Sequence, residues 1–188
     1  MQAKKLFLHV TDTIKEWELK LGTGETDMKL YYPAQSLAIL LGLGEGYSRE
    51  EFDRALMAFC REAEPQLGRI TVSGKERVCL DIPREGCRYV AEKIPAPTFL
   101  MELLAVMRKK GADIETVREL FARWAAQEGT HFLEREDAHN GAGHIFYFKD
   151  AAVDPYMYCV TQDDFGLAYH RFGREDFAQM EKEGVIEG

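Results

Sequence analysis

The chain has 188 residues, 46% of them hydrophobic and 30% charged, with a formal net charge of −8. That length and apolar content suit one large domain or two small ones sharing an interface, and the interspersed charges exclude low-complexity disorder. The negative excess opposes non-specific binding to nucleic acid or to anionic membrane, both of which need local positive charge.

The acidity is unevenly spread. Residues 1–95 carry 14 basic and 15 acidic side chains, whereas residues 96–188 carry 10 and 17. That balance leaves room for a basic patch on the first half. The apolar run after Lys4-Lys5 ends at His9, too short for a signal-peptide core. No stretch approaches the roughly 20 apolar residues of a spanning helix. The four cysteines, Cys60, Cys79, Cys87 and Cys159, sit among apolar neighbours without C-x-x-C spacing. They predict buried, reduced thiols in a cytoplasmic protein.

Leu6, Val10, Ile14, Trp17 and Leu21 recur at helical spacing and predict a helix over 4–21, ended by Gly22-Thr23-Gly24. A second helix is predicted from Pro33, carrying Leu37, Ile39, Leu40 and Leu41, before Gly42, Gly44 and Gly46 break the chain. Ser48 with Glu51 three residues on is a capping box for a third helix over 49–63, which should stop before Pro65. The period then changes to two. Segments 69–72 and 78–82 flank Ser73-Gly74-Lys75 and predict a β-hairpin. Pro83 suits the first turn of a fourth helix to about residue 93. Pro95-Ala96-Pro97 excludes a continuous helix and marks the boundary between two units, 1–95 and 96–188, expected to pack as one compact body.

The second unit opens with a predicted αα-hairpin. Its first helix covers 98–110, Gly111 turns the chain, and Asp113 caps a helix bearing Ile114, Val117, Leu120, Phe121 and Trp124. Strands follow at 130–136, 144–148, 156–161 and 167–172, and a helix over 175–183 closes the chain. The fold class is α+β, with this second sheet four-stranded and mostly antiparallel. In 145–148 and 156–160 neither alternate set of side chains is polar, so both faces of the sheet should be covered. One face takes the αα-hairpin. The other meets the first unit in the preferred arrangement, with a homodimer through the aromatic sheet as the alternative.

Ser36-Leu37-Ala38-Ile39-Leu40-Leu41-Gly42-Leu43 looks like a helix-to-turn segment, and the run from Arg77 to Gly86 looks like a returning wing strand entering a closing helix. With the order helix, helix, helix, hairpin, helix, residues 3–94 resemble a winged helix-turn-helix domain. The resemblance covers about half the chain and implies a reading helix over 49–63 and a wing over 69–82. It makes Arg49 and Arg54 on the helix, and Arg69, Lys75 and Arg77 on the wing, the contact residues for nucleic acid or another partner. The charge departs from that pattern, because Glu50, Glu51, Asp53 and Glu62 share the helix with Arg49, Arg54 and Arg61. A helix facing phosphates at one negative charge per roughly 1.7 Å should not present those carboxylates. Protein contact is therefore the expected use, with DNA binding through the wing as an alternative.

His131, Glu134, Asp137, His139 and His144 are of metal-ligating types. A hairpin turning at Asn140-Gly141 would set Asp137 opposite His144 and leave His131 about 20 Å away at ~3.3 Å per residue. Only Asp137, His139 and His144 could then converge, without any H-E-x-x-H spacing, so they are expected as polar turn residues and no cofactor is expected. Gly42-Leu43-Gly44-Glu45-Gly46 follows a helix and lacks the Gly-Lys-Ser/Thr of a phosphate loop. No serine sits in a G-x-S-x-G elbow. Cys159 should lie opposite 167–169, in an apolar strand that suits a core thiol better than a nucleophile.

Asp154-Pro155-Tyr156 and Tyr169-His170-Arg171-Phe172 resemble segments of an uncharacterised bacterial family of unknown function, which implies no activity. Together these readings predict a non-catalytic binding or regulatory module with a protein partner. The alternative is a small hydrolase-like enzyme or ligand-binding protein with its site in the cleft between the two units.

Overall fold

The computed structural model describes residues 3–22, 26–137, 143–174 and 177–178. The fold is α+β, with six helices and two antiparallel sheets of three and four strands among those residues. The chain divides into two compact units, Met1–Ala96 and Pro97–Gly188.

In the first unit, Leu6, Val10 and Ile14 fall on one face of α1 (Lys4–Leu21) and are buried. Trp17 and Leu21 continue the same spacing but are 48% and 59% exposed. They follow the helical period without joining the core. After α1 comes β1 (Met28–Pro33), a strand in a stretch where the sequence analysis predicts no element. It is short, ends in proline, and its partner lies some fifty residues later in β3 (Arg77–Ile82). Pairing with β3 buries Leu30 and Tyr32 and leaves Lys29, Tyr31 and Pro33 exposed. β2 (Thr71–Ser73) flanks β3 on its other side, so the strand order is β1-β3-β2.

Pro33 precedes α2 (Ala34–Leu40), and the capping box of Ser48 and Glu51 opens α3 (Arg49–Leu67). That helix passes through Pro65 instead of stopping before it. Proline removes one N–H and crowds the preceding turn. Here the cost falls on the final turn, where buried Leu67 anchors the helix and the Gly68 N–H closes it on Glu64. α4 (Arg84–Lys93) begins beside that end. A Cβ on Gly86 would lie 2.2 Å from the Leu67 carbonyl oxygen, so this crossing requires glycine. Proline at the N-cap offers α4 no side-chain acceptor, and Asp27 supplies one by accepting the Arg84 N–H at 2.8 Å. At its other end, buried Lys15 of α1 donates to the Ala91 carbonyl at 2.8 Å and pairs with Glu18 at 2.8 Å. A lysine is rarely so deeply buried without such partners.

In the second unit, α5 (Thr98–Met107) ends three residues short of the predicted 98–110, and α6 (Ile114–Gln127) starts from the Asp113 cap. The sheet β4 (Phe132–Asp137), β5 (Gly143–Phe148), β6 (Tyr156–Asp163) and β7 (Gly166–Gly173) runs in sequence order, entirely antiparallel. Phe99 of α5 meets Phe121, Phe148, Tyr158 and Trp124 edge-on at centroid distances of 4.8 to 5.6 Å, the geometry favoured by the ring quadrupoles. Phe146, Phe148 and Tyr158 are thereby fully buried. Ile145, Met157 and Cys159 on the opposite face pack with Phe177, over which Arg135 lies at 4.9 Å. Within the closing helix expected over 175–183, Phe177 and Ala178 are helical, and the rest lies outside the described residues.

Candidate functional site

The five contact residues read from the sequence are all exposed in the first unit, but they do not form one free cationic surface. Arg49 pairs with Asp53 at 2.9 Å, lies over the Phe52 ring at 5.3 Å, and donates to the Lys75 carbonyl at 3.2 Å. It ties the start of α3 to the tip of the β2–β3 hairpin. Arg54 pairs with Glu50 at 2.8 Å. Both pairs join residues one helical turn apart, where opposite charges meet most readily. On β3, Arg77 lies over the Tyr31 ring at 5.3 Å. Arg69 and Lys75 extend into solvent at either end of the hairpin.

A groove of about 500 Å³ runs along β1, a feature absent from the sequence reading. One wall is a ridge of α1, His9, Thr13, Trp17 and Leu21, each four residues from the last. The other wall is residues 26–32, including all of β1 up to Tyr32. His9 meets Tyr32 edge-on at 5.5 Å across its floor. Its only signal in the sequence was the apolar pair Trp17 and Leu21, whose spacing looked like core.

In the second unit, His144 does not stand opposite Asp137. The register pairs Asp137 with Gly143 and Glu136 with His144. The pairing is displaced by one residue from the expected one, and a shift of one residue turns every side chain to the other face. His144 instead accompanies Glu134. Its Nδ1 lies 2.8 Å from Glu134 Oε1, and Arg118 binds both oxygens of the same carboxylate. These contacts hold the Glu134 carboxyl below its usual range, the Arg118 hydrogen bonds most of all. A carboxylate in that state only accepts, so Nδ1 of His144 is the donor. His139 and the side chain of Asp137 lie outside the described residues, among which no group of three or more His, Cys, Asp or Glu side chains could hold a metal ion.

Residues 3–181 match the family described as "Domain of unknown function, E. rectale Gene description (DUF3877)". The chain belongs to that family. No curated protein and no solved structure matches it. No helix among the described residues is long and apolar enough to cross a membrane.

Within the DUF3877 match, Asp154-Pro155-Tyr156 and Tyr169-His170-Arg171-Phe172 come together in space. Buried Asp154 accepts from the Tyr156 N–H and the Tyr158 hydroxyl, both at 2.9 Å, and Arg171 lies over the Tyr156 ring at 4.0 Å. These residues knit the β6 entry to β7. Cys159 stands opposite His170, one residue beyond the expected 167–169, because with Asp163 opposite Gly166 the antiparallel register counts out to His170. Cys159 stays buried among Ile145, Met157 and Phe177.

Proposed function

We propose that the first unit is a non-catalytic contact module, winged-helix-like in build, that binds protein and not nucleic acid. The order helix, helix, helix, hairpin, helix supports the likeness, with β1 as an added strand on the hairpin. One observation carries the choice of partner: Arg49 and Arg54, two of the three arginines of the helix that would read DNA, are each bound to a carboxylate of that same helix. Counterion release is the main driving force for phosphate binding, and neutralised cations release little. Exposed Trp17 and Tyr31 are side chains of the kind that anchor protein contacts.

Titration with mixed-sequence duplex DNA, from low to physiological salt, tests this reading. No binding at low salt is expected. Binding that falls steeply with salt, and weakens when Arg69, Lys75 and Arg77 are changed to Glu, would overturn it in favour of phosphate contact through the wing.

A further inference from the structure

We infer that Nε2 of His144 is a nucleophile that accepts acyl groups from small neutral esters and anhydrides. This concerns the second unit and is independent of the protein-contact reading of the first. A neutral imidazole carries one proton on two nitrogens, and the hydrogen bond at one nitrogen decides which keeps a lone pair. Here the Glu134 carboxylate accepts from Nδ1 at 2.8 Å, which leaves the lone pair on Nε2. Arg118 fixes the carboxylate through both oxygens at 2.7 Å, so it cannot turn away from the ring. The imidazole also stacks on the Phe146 ring at 6.1 Å. Nε2 has no hydrogen-bond partner among the described residues, and the His144 side chain is 25% exposed. One nitrogen is held and the other is open.

The open nitrogen attacks the ester carbonyl carbon. A C–N bond forms, the ester C–O bond breaks, and the alkoxide leaves with its electron pair. The ring becomes an acyl-imidazolium, whose positive charge the Glu134 carboxylate stabilises through Nδ1–H. Water then cleaves the C–N bond, giving the free acid and the neutral ring, and the proton released neutralises the alkoxide. The surrounding charges select the donor. From β4 come Glu134 and, opposite His144 in the register, Glu136. From α6 come Arg118 and its partner Glu115. Val160 and Tyr169 continue the same row on β6 and β7. Three carboxylates against one guanidinium repel anionic donors such as acyl phosphates and leave neutral ones.

The native full chain tests this before any substitution is made. Diethyl pyrocarbonate, a neutral acyl donor, is applied briefly at neutral pH, and each histidine is followed by peptide mass spectrometry. His131 and His170 are exposed, so reactivity set by exposure alone would favour them. His144 should instead be modified first. Nitrogen chemical shifts of its neutral ring should show hydrogen on Nδ1 and none on Nε2. The chain should also hydrolyse p-nitrophenyl acetate. His144→Ala should remove most of that rate, while His131→Ala and His170→Ala leave it unchanged. Glu134→Gln keeps an acceptor for Nδ1 but not the charge, and should slow hydrolysis by about tenfold with circular dichroism unchanged. A nitrophenyl ester bearing a carboxylate on its acyl chain should react more slowly than the neutral ester. Modification that tracks exposure, hydrogen on Nε2, or hydrolysis indifferent to Glu134→Gln would overturn the proposal. Faster reaction of the anionic ester would overturn its choice of donor.

Discussion

Arg118 on α6 grips Glu134 on β4 through two hydrogen bonds of 2.7 Å, one to each carboxylate oxygen, and the oxygen nearer His144 also receives the imidazole at 2.8 Å. One carboxylate thus joins a helix to two strands. Glu115, on the turn of α6 before Arg118, pairs with the same guanidinium. The fork of an arginine matches a carboxylate in this way and a lysine would not. Because every member is bound to another, the array holds α6 against the sheet.

Glu134→Gln should therefore lower stability at neutral pH, by about 1 to 2 kcal/mol given side chains that are only partly screened from water. The sign of the pH dependence follows from the depressed carboxyl value. The stabilisation is present above the ordinary value near 4.5 and is lost as pH falls through the lower, folded value. Urea denaturation of the native chain and the variant should show a gap at pH 7 that narrows below about pH 4.5. A gap as wide in acid as at neutrality would assign the effect to packing.

Gly86→Ala should be costly although the change adds a single methyl group. The added carbon would stand 2.2 Å from the Leu67 carbonyl oxygen and 2.9 Å from Leu67 Cα, both backbone atoms that no rotamer can move. Separating α3 from α4 to make room should lower stability by about 3 kcal/mol. Thermal denaturation measures this. An unchanged midpoint would mean that the two helices cross with more clearance than the structure shows.

Burial pushes the Cys60 and Cys87 thiols up to about 11, with the Asp27 carboxylate adding to the effect at Cys87. At pH 8 both are protonated and poor nucleophiles. Brief alkylation of the native chain, mapped by mass spectrometry, should leave both unmodified, while the same treatment in urea should label them. Rapid labelling of native Cys87 would contradict its burial.

Features carried by neighbouring residues were legible in the sequence. Ser48 with Glu51, and Asp113 ahead of the next helix, announced α3 and α6 because capping is a contact across three residues. The two-sided apolar runs of β5 and β6 announced a sheet covered on both faces, and Phe99, Phe121 and Phe177 cover it. The i,i+4 neutralisation of Arg49 and Arg54 was foreshadowed by the carboxylates counted along that helix.

What remained hidden depends on distant parts of the chain. β1 is too short to be recognised alone and exists because β3 pairs with it. Trp17 and Leu21 have the spacing of core residues, and only the end of the packing surface beneath α1 leaves them on a groove wall. A one-residue difference in the β4–β5 register gave His144 a different companion from the one its turn suggested. Thus the sequence by itself determined the α+β class, most helix limits and the charge along each helix, since period and capping act over a few residues. The tertiary structure decided strand partners, the exposed edge and the clustering of Arg118, Glu134 and His144, since these come from contacts between elements whose docking no local pattern encodes.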